Sequence, residues 1–69
     1  MSELTEVFSK RRQQFIQFAY SYVRDKEEAE DIVMGAFTNV WEHRNELRED
    51  TNISALLLTA IKNRSLNHL

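Results

Sequence analysis

Two asparagines near the end of the chain carry side chains suited to reading nucleobases. Asn63 and Asn67 are four residues apart, a spacing that places both on one face of a helix. Asparagine has low helix propensity, so such a pair on an exposed face favours a functional explanation. Each carboxamide both donates and accepts hydrogen bonds, as recognition of a base edge requires. The alternative is a plain polar face without a ligand.

Charge is distributed unevenly along the chain, although the formal net charge is only −2. All Asp and Glu residues lie at or before Asp50, whereas residues 51–69 carry Lys62, Arg64 and the titratable His68. The boundary between the acidic and the basic part of the chain falls in a polar loop that contains Arg48, Asp50, Thr51 and Asn52. The loop and the basic last segment therefore form a candidate surface for local contact with a polyanion.

A second candidate surface is the outer face of the predicted second helix. Its residues are neighbours at spacings of three and four: Asp31, Met34, Gly35, Thr38 and Glu42. A methionine facing water gains nothing from burial, and a glycine inside a helix costs about 1 kcal/mol relative to alanine. This outer face is either a surface for a partner or a solvated face with one tolerated glycine.

Enzymatic chemistry is not expected. His43 and His68 are on different helices, and the chain has no cysteine, so neither histidine has a partner at ligand spacing. The carboxylates of residues 27–31 fall at a predicted helix start, where the helix dipole stabilises them. The serines have no general base at a suitable local spacing. We expect no catalytic residues, no metal and no other cofactor.

Composition predicts an all-α protein, because the 69-residue chain has no proline and Gly35 is its only glycine. Hydrophobic periodicity predicts three helices, at about residues 4–23, 26–46 and 52–68. Asp25, with Glu28 three positions later, predicts an N-cap for the second helix. Thr51 or Asn52 is expected to cap the third. The result is one compact three-helix domain spanning residues 1–69.

The core is expected to take one stripe from each helix. The second helix has the clearest period and should be the most buried element. The predicted core residues are Phe8, Phe15, Ile16, Phe18, Ala19, Tyr20, Tyr22, Val23, Ala29, Ile32, Val33, Ala36, Phe37, Val40, Trp41, Ile53, Leu56, Leu57, Ala60 and Ile61.

The chain should be soluble and cytoplasmic, since no segment resembles a signal peptide or approaches the roughly 20 apolar residues that cross a bilayer. The third helix runs into the C-terminus without a stop signal. We therefore expect the natural protein to continue beyond Leu69.

Two segments resemble a known family. AEDIVMGAFTNVW, residues 29–41, resembles the signature of domain 2 (region 2) in bacterial sigma-70 family sigma factors, specifically the extracytoplasmic-function group. The family pattern is fitted by Asp31, Ile32, Val33, Ala36, Phe37 and Trp41. LREDTNISALLLTAIKNRSLNHL, residues 47–69, resembles the promoter-reading loop and helix, with Asn63 at the family's asparagine and Lys62 at its basic position.

The resemblance implies a transcription initiation role rather than an enzyme. The outer face of the second helix would bind the clamp helices of the RNA polymerase β′ subunit through Asp31, Met34, Gly35, Thr38 and Glu42. The loop and last helix would capture the non-template strand of the promoter minus-ten element and hold an extruded base. That role falls to Arg48, Asp50, Thr51, Asn52, Ile53, Lys62, Asn63 and Asn67.

The family also implies an anti-sigma partner and a C-terminal region 4 domain, which this chain lacks. A helical protein-interaction domain that binds no nucleic acid is the alternative reading. Two departures concern the expected polymerase surface: Met34 and Gly35 stand where the family usually carries Gln and an acidic residue. These two residues predict either a more apolar interface that approaches the polymerase clamp more closely, or a weakened interface. Leu56 replaces a common tryptophan near the loop.

Overall fold

The computed structural model describes residues 2–68, and the side chains of residues 3–67. Three α-helices follow one another: α1, Ser2–Val23; α2, Lys26–Glu42; and α3, Ile53–His68. All three pack against each other. The predicted all-α, three-helix class is confirmed for the described part of the chain.

α2 ends four residues before the predicted boundary, and a 3-10 turn, Arg44–Glu46, follows it. Side chains satisfy the last carbonyls and so end the helix. The Arg44 guanidinium donates to the Trp41 carbonyl at 2.8 Å, and the His43 Nδ1 lies 2.8 Å from the Asn39 carbonyl. Hydrophobic periodicity could not locate this boundary, because residues 42–46 contain no apolar side chain.

Capping side chains set the starts of α2 and α3. The Asp25 carboxylate accepts a hydrogen bond from the Glu28 backbone N–H at 3.1 Å, which confirms the predicted N-cap. At α3 the Asn52 side chain accepts from the Ala55 N–H at 3.0 Å. The Thr51 hydroxyl instead accepts from the Arg48 N–H at 3.0 Å. Of the two predicted alternatives, Asn52 is therefore the cap.

The core contains one stripe from each helix. Its buried apolar residues are Leu4, Phe8, Phe15, Ile16, Ala19, Ala29, Ile32, Val33, Ala36, Val40, Ile53, Leu57 and Ile61. The rings of Phe8 and Phe37 stack across α1 and α2 with centroids 4.2 Å apart. Tyr20 was predicted to broaden the α1 stripe, but its side chain is 45% exposed because it lies at the edge of that stripe. Its phenol oxygen keeps its contact with water there.

Candidate functional site

The outer face of α2 is open to solvent at four of its five predicted residues. Asp31, Thr38 and Glu42 are exposed, and Met34 is 44% exposed. These four side chains form a continuous surface because they recur at three- and four-residue spacings along one helix. The structure thus presents an accessible, mixed apolar and acidic surface. Its polymerase-binding role stays a prediction.

Gly35 differs from the other four residues of the predicted outer face. It is half-buried, because the side chain of Arg64 on α3 lies against it. An ideal Cβ built on Gly35 would lie 3.0 Å from Cζ, 3.2 Å from Nη1 and 3.3 Å from Nε of Arg64. Gly35 is therefore at the contact between α2 and α3 rather than on open surface. Sequence spacing within one helix cannot reveal what the neighbouring helix covers.

A polar groove of about 370 Å³ runs between α2 and α3. We call it the α2–α3 groove; its lining residues are Asn39, Ala60, Asn63, Arg64 and Asn67. The two asparagines predicted to read bases are thus brought together. The third predicted residue of this helix face, Lys62, is exposed but does not line the groove. His68, expected to face solvent, lies outside the described side chains.

Two groove residues extend the predicted site. Asn39 was not predicted, and Arg64 was expected, together with Lys62, to attract the phosphates of the strand but was not among the predicted site residues. Asn39 is four residues after Gly35 and so shares its side of α2, which was the available signal. Among the described residues, no Asp or Glu lines the groove. Three carboxamides and one guanidinium therefore offer mainly hydrogen-bond donors, together with amide oxygens as acceptors.

The loop between α2 and α3 is organised by its own polar side chains. Thr51 holds the turn through the Arg48 N–H, and Asn52 caps α3. Arg48 and Asp50 form an ion pair at 3.8 Å, with both side chains more than 80% exposed (86% and 82%). Such an exposed pair contributes little to stability, so both groups can exchange partners readily.

Ile53, which was predicted to contact the DNA strand, lies in the hydrophobic core. Its side chain is only 6% exposed and belongs to the core. Any contact with a ligand would therefore use the small exposed part of the residue. The strand-binding role itself is untested and stays a prediction.

A second recess of about 380 Å³ lies beside this loop. We call it the loop recess; it is lined by Glu3, Arg44, Asn45, Leu47, Arg48, Glu49 and Ile53. Arg44 stacks on Trp41, with its Cζ 4.0 Å from the ring centroid. Stacking and the hydrogen bond to the Trp41 carbonyl fix the orientation of this guanidinium. Arg44 and Asn45 were not predicted as site residues.

These surfaces define an all-helical binding domain with an exposed α2 face and two polar recesses beside α3. The family model described as Sigma-70 region 2 matches residues 7–69, and the chain therefore belongs to the sigma-70 region 2 family. Domains of this family are non-enzymatic transcription initiation modules that act in RNA polymerase binding and promoter melting. No curated protein and no solved structure shows significant similarity to the chain.

No helix in the described part of the chain is both long and apolar enough to cross a bilayer. Within the same residues, no three or more His, Asp or Glu side chains are grouped closely enough to hold a metal ion.

Proposed function

We propose that this chain is the region 2 domain of an extracytoplasmic-function sigma factor, with its two activities on separate surfaces. In this proposal α2 docks on the clamp helices of the RNA polymerase β′ subunit. The loop and α3 capture the non-template strand of the minus-ten element. The observation that carries the proposal is the convergence of Asn63 and Asn67 with Asn39 and Arg64 in the α2–α3 groove.

The docking side uses the exposed outer face of α2. Met34 supplies an apolar centre, and Asp31, Thr38 and Glu42 surround it with polar groups. Such an arrangement suits a partner helix, because an apolar anchor provides affinity while a polar rim provides orientation. An exposed Met34 favours the more apolar of the two predicted interfaces over a weakened one.

The strand side uses both recesses. Single-stranded nucleic acid is held by cationic groups that contact phosphates and by pockets that receive unstacked bases. The α2–α3 groove offers amides for base edges, and the loop recess offers Arg44, Arg48 and Asn45 around a space large enough for one nucleobase. An extruded base in either recess regains part of the stacking and hydrogen bonding that it lost.

An anti-sigma factor that covers one or both surfaces belongs to the same proposal, as does a cytoplasmic location with the polymerase. The alternative, a helical interaction domain without nucleic-acid binding, is favoured by one observation, the 44% exposure of Met34. It predicts a partner for α2 and no role for the groove asparagines.

The deciding test measures binding of this chain to a purified β′ clamp-helix fragment and to single-stranded minus-ten DNA. Met34→Glu should weaken clamp binding and leave DNA binding intact. Asn63→Ala with Asn67→Ala should do the reverse. Circular dichroism confirms that each variant is folded.

If the folded native chain binds no clamp fragment, the docking half of the proposal is wrong. If the asparagine variants bind DNA as well as the native chain does, the strand-reading half is wrong and the interaction domain is the better reading.

A further inference from the structure

The guanidinium of Arg64 lies flat against the backbone of α2 at Gly35. A Cβ built on Gly35 would be closest to the central carbon Cζ, at 3.0 Å, with Nη1 and Nε slightly farther, at 3.2 and 3.3 Å. The central carbon is the nearest atom only when the approach is perpendicular to the guanidinium plane. Gly35 thus faces one side of the plane, and a Cβ at this position would require the guanidinium to shift by a few tenths of an ångström.

The hydrogen-bonding edge of this guanidinium stays available. All five N–H donors of arginine lie in the guanidinium plane, so packing its face against α2 does not use them. Among the described residues, Arg64 takes part in no ion pair, and its side chain is not a donor in any hydrogen bond. The groove beside it contains three carboxamides and no described carboxylate. Arg64 is thus an exposed cation that lies against α2, with no anionic partner among the described residues.

We propose that Gly35 leaves the space in which the Arg64 guanidinium lies against α2, and that this guanidinium binds a backbone phosphate of the single strand captured along α3. This inference rests on the proposed strand capture. A phosphodiester presents two oxygens to which the planar fork can donate two parallel hydrogen bonds. The packing contact with Gly35 favours this orientation of the guanidinium before binding, so part of the rotamer freedom is already lost when the phosphate arrives.

The inference assigns Gly35 to the strand side of the molecule instead of the polymerase-docking face. It also gives a reason why position 35 differs from the signature of region 2, in which this position is usually acidic. A carboxylate at position 35 would lie beside the Arg64 guanidinium and pair with it, in competition with a phosphate. Glycine removes that competitor and provides the space for a flat guanidinium.

The test is an NMR titration of the nitrogen-15-labelled chain with oligothymidylate at several salt concentrations. Each phosphate contact to a single strand contributes about 0.7 to the slope of log affinity against log salt concentration. Arg64→Gln should lower the slope by about that amount, which corresponds to about fivefold weaker binding in 0.1 M salt. The Arg64 Nε–Hε resonance of the native chain should shift on titration.

Two further variants separate the effect of the space at position 35 from the effect of the Arg64 charge. Gly35→Ala keeps Arg64 but places a methyl group against its guanidinium. It should weaken oligothymidylate binding by less than Arg64→Gln does. Gly35→Glu should match or exceed the loss seen for Arg64→Gln, because the new carboxylate would pair with the Arg64 guanidinium. Lys10→Gln is the matched control, because it removes one positive charge from an exposed position of α1, where Lys10 pairs with Glu6. Its slope should stay native.

The outcomes distinguish this inference from the proposed function. An unchanged slope for Arg64→Gln, with native strand binding, would overturn the phosphate role and leave strand capture intact. An equal loss of slope in Lys10→Gln would show only a general charge effect and would also overturn it. If the native chain shows no shifts with oligothymidylate or with minus-ten DNA, strand capture itself fails, and the role of Arg64 fails with it.

Discussion

At the scale of single residues, Gly35 lowers the stability of α2 but leaves space for the Arg64 side chain. Glycine inside a helix costs about 0.5–1 kcal/mol relative to alanine, chiefly through the backbone freedom of the unfolded chain. The atoms that a new Cβ would meet belong to the far end of the flexible Arg64 side chain. They can move aside at small cost.

Gly35→Ala is therefore expected to raise the free energy of unfolding by up to about 1 kcal/mol. Urea denaturation followed by circular dichroism measures it. The matched control is the same change in an Arg64→Ala background, where nothing opposes the methyl group and the gain should be at least as large. Destabilisation in both backgrounds would mean that the backbone of α3, and not the Arg64 side chain, limits the space.

Ser65 is a second residue whose chemistry does not fit its surroundings. It is fully buried in α3, and its hydroxyl oxygen has no hydrogen-bond partner among the described groups. A buried polar group without a partner costs about 1–3 kcal/mol in lost hydration. Helical spacing placed Ser65 on the buried stripe, four residues after Ile61 and eight after Leu57, but only the packed structure shows how its hydroxyl is surrounded.

Ser65→Ala should consequently stabilise the domain by about 1 kcal/mol or more. Thermal and urea unfolding both measure the change. Ser21→Ala is the control, since the Ser21 side chain is exposed and donates to the Phe18 carbonyl at 2.6 Å. Its effect should stay within about 0.5 kcal/mol. A destabilised Ser65→Ala variant would show that the hydroxyl has a partner, such as a buried water, in solution.

At the scale of elements, the Arg44 side chain links the end of α2 to the loop that follows it. Arg44 stacks on Trp41 and donates to the Trp41 carbonyl, so it caps the helix and forms one wall of the loop recess. Stacking of a cation on a partly buried ring contributes about 0.5–2 kcal/mol. The hydrogen bond satisfies a carbonyl that the helix leaves free.

Arg44→Ala should destabilise the domain by about 1–2 kcal/mol and change the emission of Trp41, the only tryptophan in the chain. Fluorescence-detected urea unfolding records both effects. Arg44→Lys keeps the charge but loses the flat stacking surface, so it should show an intermediate loss. A native-like stability for Arg44→Ala would show that the 3-10 turn ends α2 without this side chain.

At the scale of the whole molecule, the start of α1 belongs to the shared core. Leu4 is completely buried, although it precedes residues 7–69 that match the family model. A small domain has few large apolar side chains, so each represents a sizeable part of its marginal stability. The first turn of α1 is therefore part of the folding unit.

Leu4→Ala should lower the free energy of unfolding by at least about 2 kcal/mol, through lost burial and the cavity left behind. Differential scanning calorimetry measures it as a large drop in Tm. Thr5→Ala, next to it but exposed, is the control and should be nearly neutral. A nearly neutral Leu4→Ala variant would show that the first turn of α1 is not part of the folding unit.

Much of the fold was predictable because helical periodicity is a local property of the chain. Ile32, Val33, Ala36 and Val40 recur at helical spacing, and all are buried in α2. The Asp25 cap was likewise readable, because the residue and the N–H it accepts from are three positions apart. The candidate site was less predictable. Its groove combines residues of two helices, and Asn39 gained meaning only when α3 was packed beside it.

Local patterns in the sequence were enough to predict the all-helical class, the faces of α1, α2 and α3 that pack together, and the sigma-70 region 2 resemblance that the matching family model confirmed. Only the packing of the helices shows that Gly35 faces Arg64, that the Ser65 hydroxyl has no partner among the described groups, and that Asn39 joins Asn63 and Asn67. The physical reason is range. Periodicity and capping act within a few residues of one helix, whereas these three environments depend on which side chains a neighbouring helix brings across the interface.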